Sequence, residues 1–204
     1  MNMILRQPGI LRESSRGFER IEIEDDLLQT REIFLTDEVN AGTMNSLLKQ
    51  LIYLNRTDPD AGITLYINSP GGEVQSGLAV YDWMKLMPAP LKTVCIGTAA
   101  SMAAILFLAG DTRLMTANSR IMIHDPAPAG GSLAGRKPGE IAEQLEELRK
   151  VQAVTCTIIS EITGQSEDTV YGKTRKDSWF SAEEALSFGL ATGIMKGDAN
   201  HEII

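Results

Sequence analysis

Two cysteines and two histidines are the whole supply of thiol and imidazole in this 204-residue chain. Cys95 and Cys156 both sit among apolar residues. Two such cysteines make no disulfide framework, and they point to a reducing compartment. Basic charge is also short: Lys plus Arg is 19 against 27 for Asp plus Glu, a net charge of −8. That balance argues against nucleic acid or an anionic membrane surface as the main partner. The first residues, Met1 to Glu13, lack the continuous apolar core of a secretory signal, so a cytoplasmic location is expected. No period of 20–50 residues repeats and no linker divides the chain, so one compact domain is expected.

Long uncharged runs are scarce too, with one instructive exception. Lys92 and Asp111 bound 18 residues without a charge, a length at which a membrane span must be weighed. Gly97 and Thr98 interrupt that run, and Thr93, Val94 and Ile96 before them are β-branched, which reads as a buried strand. After them, Met102 to Ala109 form a strong helix former stopped by Gly110. The expected object is a strand, a tight Gly97–Ala100 turn, and a helix with Ser101 at its first turn. Free backbone N–H groups and the positive end of the helix dipole converge there, and both favour a developing oxyanion. On residue type alone a helix-capping serine is the commoner fate for such a residue.

Around this centre, strand and helix alternate with short connections. Residues 1–17 carry turn signals and read as a segment that is mobile or packs only in an assembly. Residues 19–26 read as a charged lead-in. Strands are expected at 31–36, 63–67, 113–116 and 120–124, and helices at 41–55, 73–86 and 139–162. A short helix begins at Ser166, and Ser181 with Glu184 makes a capping box for the last one. The pattern is that of an α/β domain with a largely parallel sheet. Helix 139–162 is amphipathic over its first half, with Ile141, Leu145 and Leu148 on one face, and is long enough to project from the body.

Two further signals carry chemistry. Ser69-Pro70-Gly71-Gly72 lies between a strand and a helix, where glycines allow main-chain N–H groups to face a peptide or an oxyanion unobstructed. His124 ends an apolar strand, where a general base could sit beside a nucleophile, although a histidine there is also compatible with a plain core role. His201 lies in a C-terminal stretch where order is least assured. A helix-start serine, a Gly-Gly turn and one strand-end histidine fit nucleophilic acyl transfer. Periodicity leaves the orienting carboxylate open among Asp111, Asp125 and Asp177.

Several blocks in order, Ile67-Asn-Ser-Pro-Gly-Gly72, Gly97-x-Ala-Ala-Ser-Met102, Asn118-Ser-Arg-Ile-Met-Ile-His124-x-Pro126, Thr163-Gly-Gln165 and Asp177 followed by Ser181-Ala-x-Glu-Ala185, resemble the proteolytic subunit family of the Clp protease, ClpP. Phe34-Leu-Thr and Ser15-Arg-Gly17 match as well, so the resemblance spans nearly the whole chain. It implies an α/β, ClpP/crotonase-like fold of repeated β-α-β units with a projecting handle helix. The implied division is an N-terminal axial segment 1–17, a peptidase domain 18–197 with the handle at about 125–162, and a tail 198–204. By resemblance Ser101 is the nucleophile, His124 the general base and Asp177 the carboxylate that holds the imidazole, with the N–H groups of Gly72 and Met102 as oxyanion hole. The same resemblance implies two stacked seven-membered rings around a chamber. Unfolded polypeptides would be fed into it by a hexameric AAA+ ATPase docking near Tyr66, Leu86, Val94 and Ile96. No metal or organic cofactor is implied.

The chain departs from the family pattern at several places. Thr64 and Thr116 stand where a tyrosine and a leucine of the docking pocket are usual. Arg175 stands where an acid is common, and Asp125 replaces the usual glutamine after the histidine. The loop 125–139 is longer and richer in Pro and Ala. Two other functions stand beside the peptidase: a non-catalytic ring subunit, whose relatives lose a triad member, and a crotonase-type acyl-CoA enzyme, which would need no serine–histidine pair.

Overall fold

The computed structural model describes residues 9–14, 17–127 and 135–195. The tail 198–204 with His201, the first eight residues, and the middle of the 125–139 loop therefore lie outside the described residues. Elements run β1 (Gly9–Ser14), β2 (Gly17–Glu22), α1 (Ile23–Gln29), β3 (Glu32–Leu35), α2 (Ala41–Thr57), β4 (Ile63–Ser69), α3 (Val74–Leu86) and β5 (Leu91–Ala100). They continue with α4 (Met102–Leu108), β6 (Thr112–Thr116), β7 (Arg120–Ile123), α5 (Pro138–Thr163), α6 (Glu167–Thr174), β8 (Ser178–Ser181), α7 (Ala182–Phe188) and β9 (Gly193–Met195).

The alternation expected from sequence becomes a mostly parallel sheet. Strands β3, β4, β5, β6 and β9 lie side by side, and β7 continues beside the far end of β5. Within this sheet, among the described residues, only β8 runs antiparallel, on the outer edge of β7. Along β4, Ile63, Leu65, Ile67 and Ser69 are buried, while Thr64, Tyr66 and Asn68 point the other way. The first set packs into the main core with Leu47, Leu51 and Leu54 of α2 and Val80 and Met84 of α3. Asn40 caps α2 by accepting from the N–H groups of Gly42 and Thr43, with Thr43 Oγ1 answering the Asn40 N–H at 3.0 Å.

At the centre is α4, every residue of which is buried. This explains the uncharged run: it is one buried strand followed by one buried helix. No helix among the described residues is long and apolar enough to cross a membrane.

Three expectations change. The segment Gly97-Thr-Ala-Ala100 is not a turn but the last part of β5. The strand keeps going because it changes neighbours: Lys92–Cys95 pair with β6, and Thr98–Ala100 pair with β7. Opposite it, the β4 register slips between Ile67 and Ser69, so that Ser69 meets Ala99. Asn68 fills the slip, its Oδ1 accepting from Thr98 N–H at 3.0 Å. Secondly, residues 9–14, where no strand was expected, pair with residues 17–22 as an antiparallel hairpin, with residues 9–13 exposed. Thirdly, the charged lead-in 19–26 contains the end of β2 and the start of α1, whose first turn carries Glu24, Asp25 and Asp26 at the favourable end of the dipole.

Helix α5 is the longest element at 26 residues, opened by Pro138 and closed by Gly164 in the left-handed region. Only Cys156 and Ile159, in its second half, are buried. Leu145 on the first half stays 46% exposed.

Candidate active site

Ser101 is the single residue between β5 and α4, and it sits at φ 55° and ψ −123°. A side-chain-bearing residue rarely adopts that conformation, at a cost of about 1–3 kcal/mol. Full burial of Ile105, Leu106, Phe107 and Leu108 behind it contributes about 1.5–3 kcal/mol per side chain, which outweighs the strain. The Ser101 N–H donates to the Met122 carbonyl at 2.9 Å, pinning the serine to β7. Its hydroxyl makes no capping bond to the helix. The capping alternative left open by residue type is therefore not what the side chain does.

The hydroxyl instead meets the imidazole. Ser101 Oγ and His124 Nε2 are 2.8 Å apart. Pairing of β5 with β7 sets Ala100 beside Met122, so the residues just past both strand ends converge. On the other flank, Ile123 pairs with Ser178 across β7 and β8, and the next rung of that antiparallel register brings Asp177 opposite His124. Asp177 Oδ1 lies 3.4 Å from His124 Nδ1, with the aspartate side chain 67% exposed. The other two carboxylates go elsewhere. Asp111 Oδ2 accepts from the Leu91 N–H at 2.8 Å, and Asp125 is turned into the protein.

The Gly-Gly segment lies directly against the serine. A β-carbon added to Gly71 would overlap the Ala100 carbonyl oxygen and stand 2.8 Å from Ser101 Cβ and 2.9 Å from Met102 N. Gly71 and Gly72 both adopt positive φ, 86° and 146°. Val39 bridges to this segment by donating to the Gly71 carbonyl and accepting from the Glu73 N–H, each at 2.7 Å. Those two bonds straddle Gly72, whose own N–H is thereby turned to the opposite side, away from Val39. Met102 is the first helical residue of α4, so its N–H has no partner one turn back. The Met102 N–H directly follows the serine, and Gly72 follows the glycine that packs against it.

Sequence reasoning missed two groups that shape this site. Ser69 is buried, donates to the Asp37 carbonyl at 2.6 Å and accepts from the Gly71 N–H at 3.2 Å. It fixes the loop from inside, and its position just before Pro-Gly-Gly was the only hint. Thr155 and Ile159 arrive from α5, 54 and 58 residues after the serine, to line a small cavity with Val74, Met102, Ile105 and Ile123. Nothing in a linear pattern places them there.

Neither cysteine competes as nucleophile, since burial pushes both the Cys95 and Cys156 thiols up. No group of three or more His, Cys, Asp or Glu side chains among the described residues could hold a metal ion. Of the residues assigned to partner docking, Tyr66, Val94 and Ile96 share the sheet face turned away from the main core. Leu86 ends α3 in the helical layer and is 77% exposed. Tyr66 stacks on Phe34 and donates to Glu32 Oε1 at 2.8 Å.

Compared with known protein families, the chain is matched by the model described as Clp protease over residues 15–198.

Proposed function

The chain belongs to the Clp protease family, and from that premise we propose that it is a serine endopeptidase cutting unfolded polypeptides inside an oligomeric ring. The observation that carries the reading is the 2.8 Å approach of Ser101 Oγ to His124 Nε2 at a strained strand–helix junction. In this reading Ser101 Oγ attacks the peptide carbonyl while His124 Nε2 takes the hydroxyl proton. The oxygen that gains charge is received by the N–H groups of Gly72 and Met102. The C–N bond breaks as the imidazolium returns the proton to the leaving amine. Water, deprotonated by the same imidazole, then cleaves the ester and restores Ser101. Asp177 holds the Nδ1–H tautomer and faces the imidazolium. Its 3.4 Å separation is longer than a formed hydrogen bond and would shorten with substrate bound.

Ring assembly of two stacked heptamers, with α5 as the handle between them, follows the family and is supported by the exposed first half of α5. A hexameric AAA+ unfoldase is the proposed feeder, meeting the sheet face that carries Tyr66, Val94 and Ile96. Strand β1 falls within the proposed axial segment 1–17, while β2 runs on into the proposed peptidase domain.

The test is labelling by a serine-directed phosphonate. Wild type should be labelled and Ser101→Ala should not. Absence of labelling at every assembly state would favour a non-catalytic ring subunit instead. Acyl-CoA turnover that survives Ser101→Ala would favour a crotonase-type enzyme.

A further inference from the structure

A second carboxylate adjoins this site without a part in it. Asp125 follows His124, and its Oδ1 is shielded from solvent with no hydrogen-bond partner among the described residues. The hydroxyl of Thr174, at the end of α6, is in the same condition. The two residues are already joined through the main chain, the Asp125 N–H donating to the Thr174 carbonyl at 2.7 Å. A buried hydroxyl lacking an acceptor and a buried carboxylate oxygen lacking a donor each forfeit hydration, and each supplies what the other needs.

We infer that the Thr174 hydroxyl donates to the Asp125 carboxylate, and that this clasp positions Asp177 against His124. The inference rests on the proposed roles of His124 and Asp177. Its leverage comes from where that pair sits. His124 and Asp177 stand one rung beyond the last pairing of β7 and β8, where a two-strand ladder frays. The segment that carries Asp177 is tied at one end by Ser178 Oγ donating to the Lys173 carbonyl at 2.7 Å. Its other tie to the strand end is Asp125 to Thr174, through the main chain alone unless the side chains close. Asp125 is thus a positioning residue, acting through the segment 174–177. Two other donors lie near it: Arg149 of α5 lines the same concavity as Asp125 and Gln152, and the Tyr171 phenol of α6 feels the Asp125 charge.

The test uses the full chain in its assembled form with a fluorogenic short peptide. Asp125→Ala and Thr174→Val should each lower kcat about tenfold with KM held within about twofold, the split expected when alignment rather than binding is lost. The double variant should be no slower than the slower single, because both remove one bond. Asp125→Asn keeps an acceptor and Thr174→Ser keeps a donor, so each should recover most of the loss. A kcat within about twofold of wild type for Thr174→Val, with native mass unchanged, would overturn the clasp, as would multiplicative losses in the double variant. Arg149→Ala reproducing Asp125→Ala while Thr174→Val is silent would assign the carboxylate to Arg149. If Asp125→Ala does not assemble, the two conservative variants and Thr174→Val decide the matter. Wild type that hydrolyses no peptide and takes no phosphonate would remove the peptidase reading, and this inference with it. Active wild type with unaffected variants removes the inference alone.

Discussion

Gly71 packs so tightly beneath Ser101 that the serine's Cβ lies only 2.8 Å from where a side chain on the glycine would begin. The contact ties the conformation of the Pro-Gly-Gly loop to the strand–helix junction. Gly71→Ala should therefore act twice, through its φ of 86° and through overlap with rigid backbone. Together these should destabilise the fold by about 2–4 kcal/mol. Peptide hydrolysis should fall more than about tenfold, since a shift of this loop moves the Gly72 N–H. Thermal denaturation and steady-state kinetics check both. An alanine variant with full activity would separate the loop from the chemistry.

The serine's own strain gives a comparison that needs no substrate. Ser101→Ala and Ser101→Gly should both be inactive, but only glycine relaxes the φ of 55°. Ser101→Gly should be the more stable of the two by about 1 kcal/mol, less if unfolded-chain entropy offsets the gain. Denaturant midpoints measured side by side decide it, and equal midpoints would mean that the junction carries no strain.

Asp177→Asn should leave the fold intact, since the side chain is 67% exposed and outside the core. Peptidase kcat should drop by about two to four orders of magnitude, because an amide no longer fixes the imidazole tautomer. Unchanged turnover would move the carboxylate role elsewhere.

Tyr66 offers a test by pH. Its phenol is pushed up by burial and then by its bond to Glu32, whose negative charge opposes ionisation. A group held neutral in the folded state contributes stability that is fully present below its unfolded pKa of about 10 and is lost as pH rises through the higher folded value. Melting temperature should therefore fall more steeply above pH 10 for wild type than for Tyr66→Phe. Absorbance at the phenolate band should show one tyrosine fewer titrating late in the variant. A Tyr66 that ionises at or below the ordinary value would contradict the geometry of the Glu32 bond.

Much of the site was written locally. Apolar spacing marked α2, because a helix packed on the sheet needs one face dry and one wet, and it also marked the first half of α5, whose Leu145 nevertheless stays exposed. The Ser181–Glu184 capping box announced α7, because its bonds are made within four residues. Ser101 at a helix start and glycines at Gly71 and Gly72 were visible for the same reason: backbone geometry there admits few residue types.

Sequence by itself determined the α/β alternation, the uncharged strand–helix pair and a short roster of reactive side chains, since these depend on neighbours along the chain. Tertiary structure alone decided that β5 runs on through Gly97, because a strand persists where a new partner, here β7, takes up its hydrogen bonds. It also decided which aspartate faces the imidazole. Asp111, Asp125 and Asp177 look alike in sequence, and only the antiparallel rung joining Ile123 to Ser178 brings one of them, 53 residues away, to His124. Pairing between distant strands is fixed by burial of whole faces, and no local stretch records it.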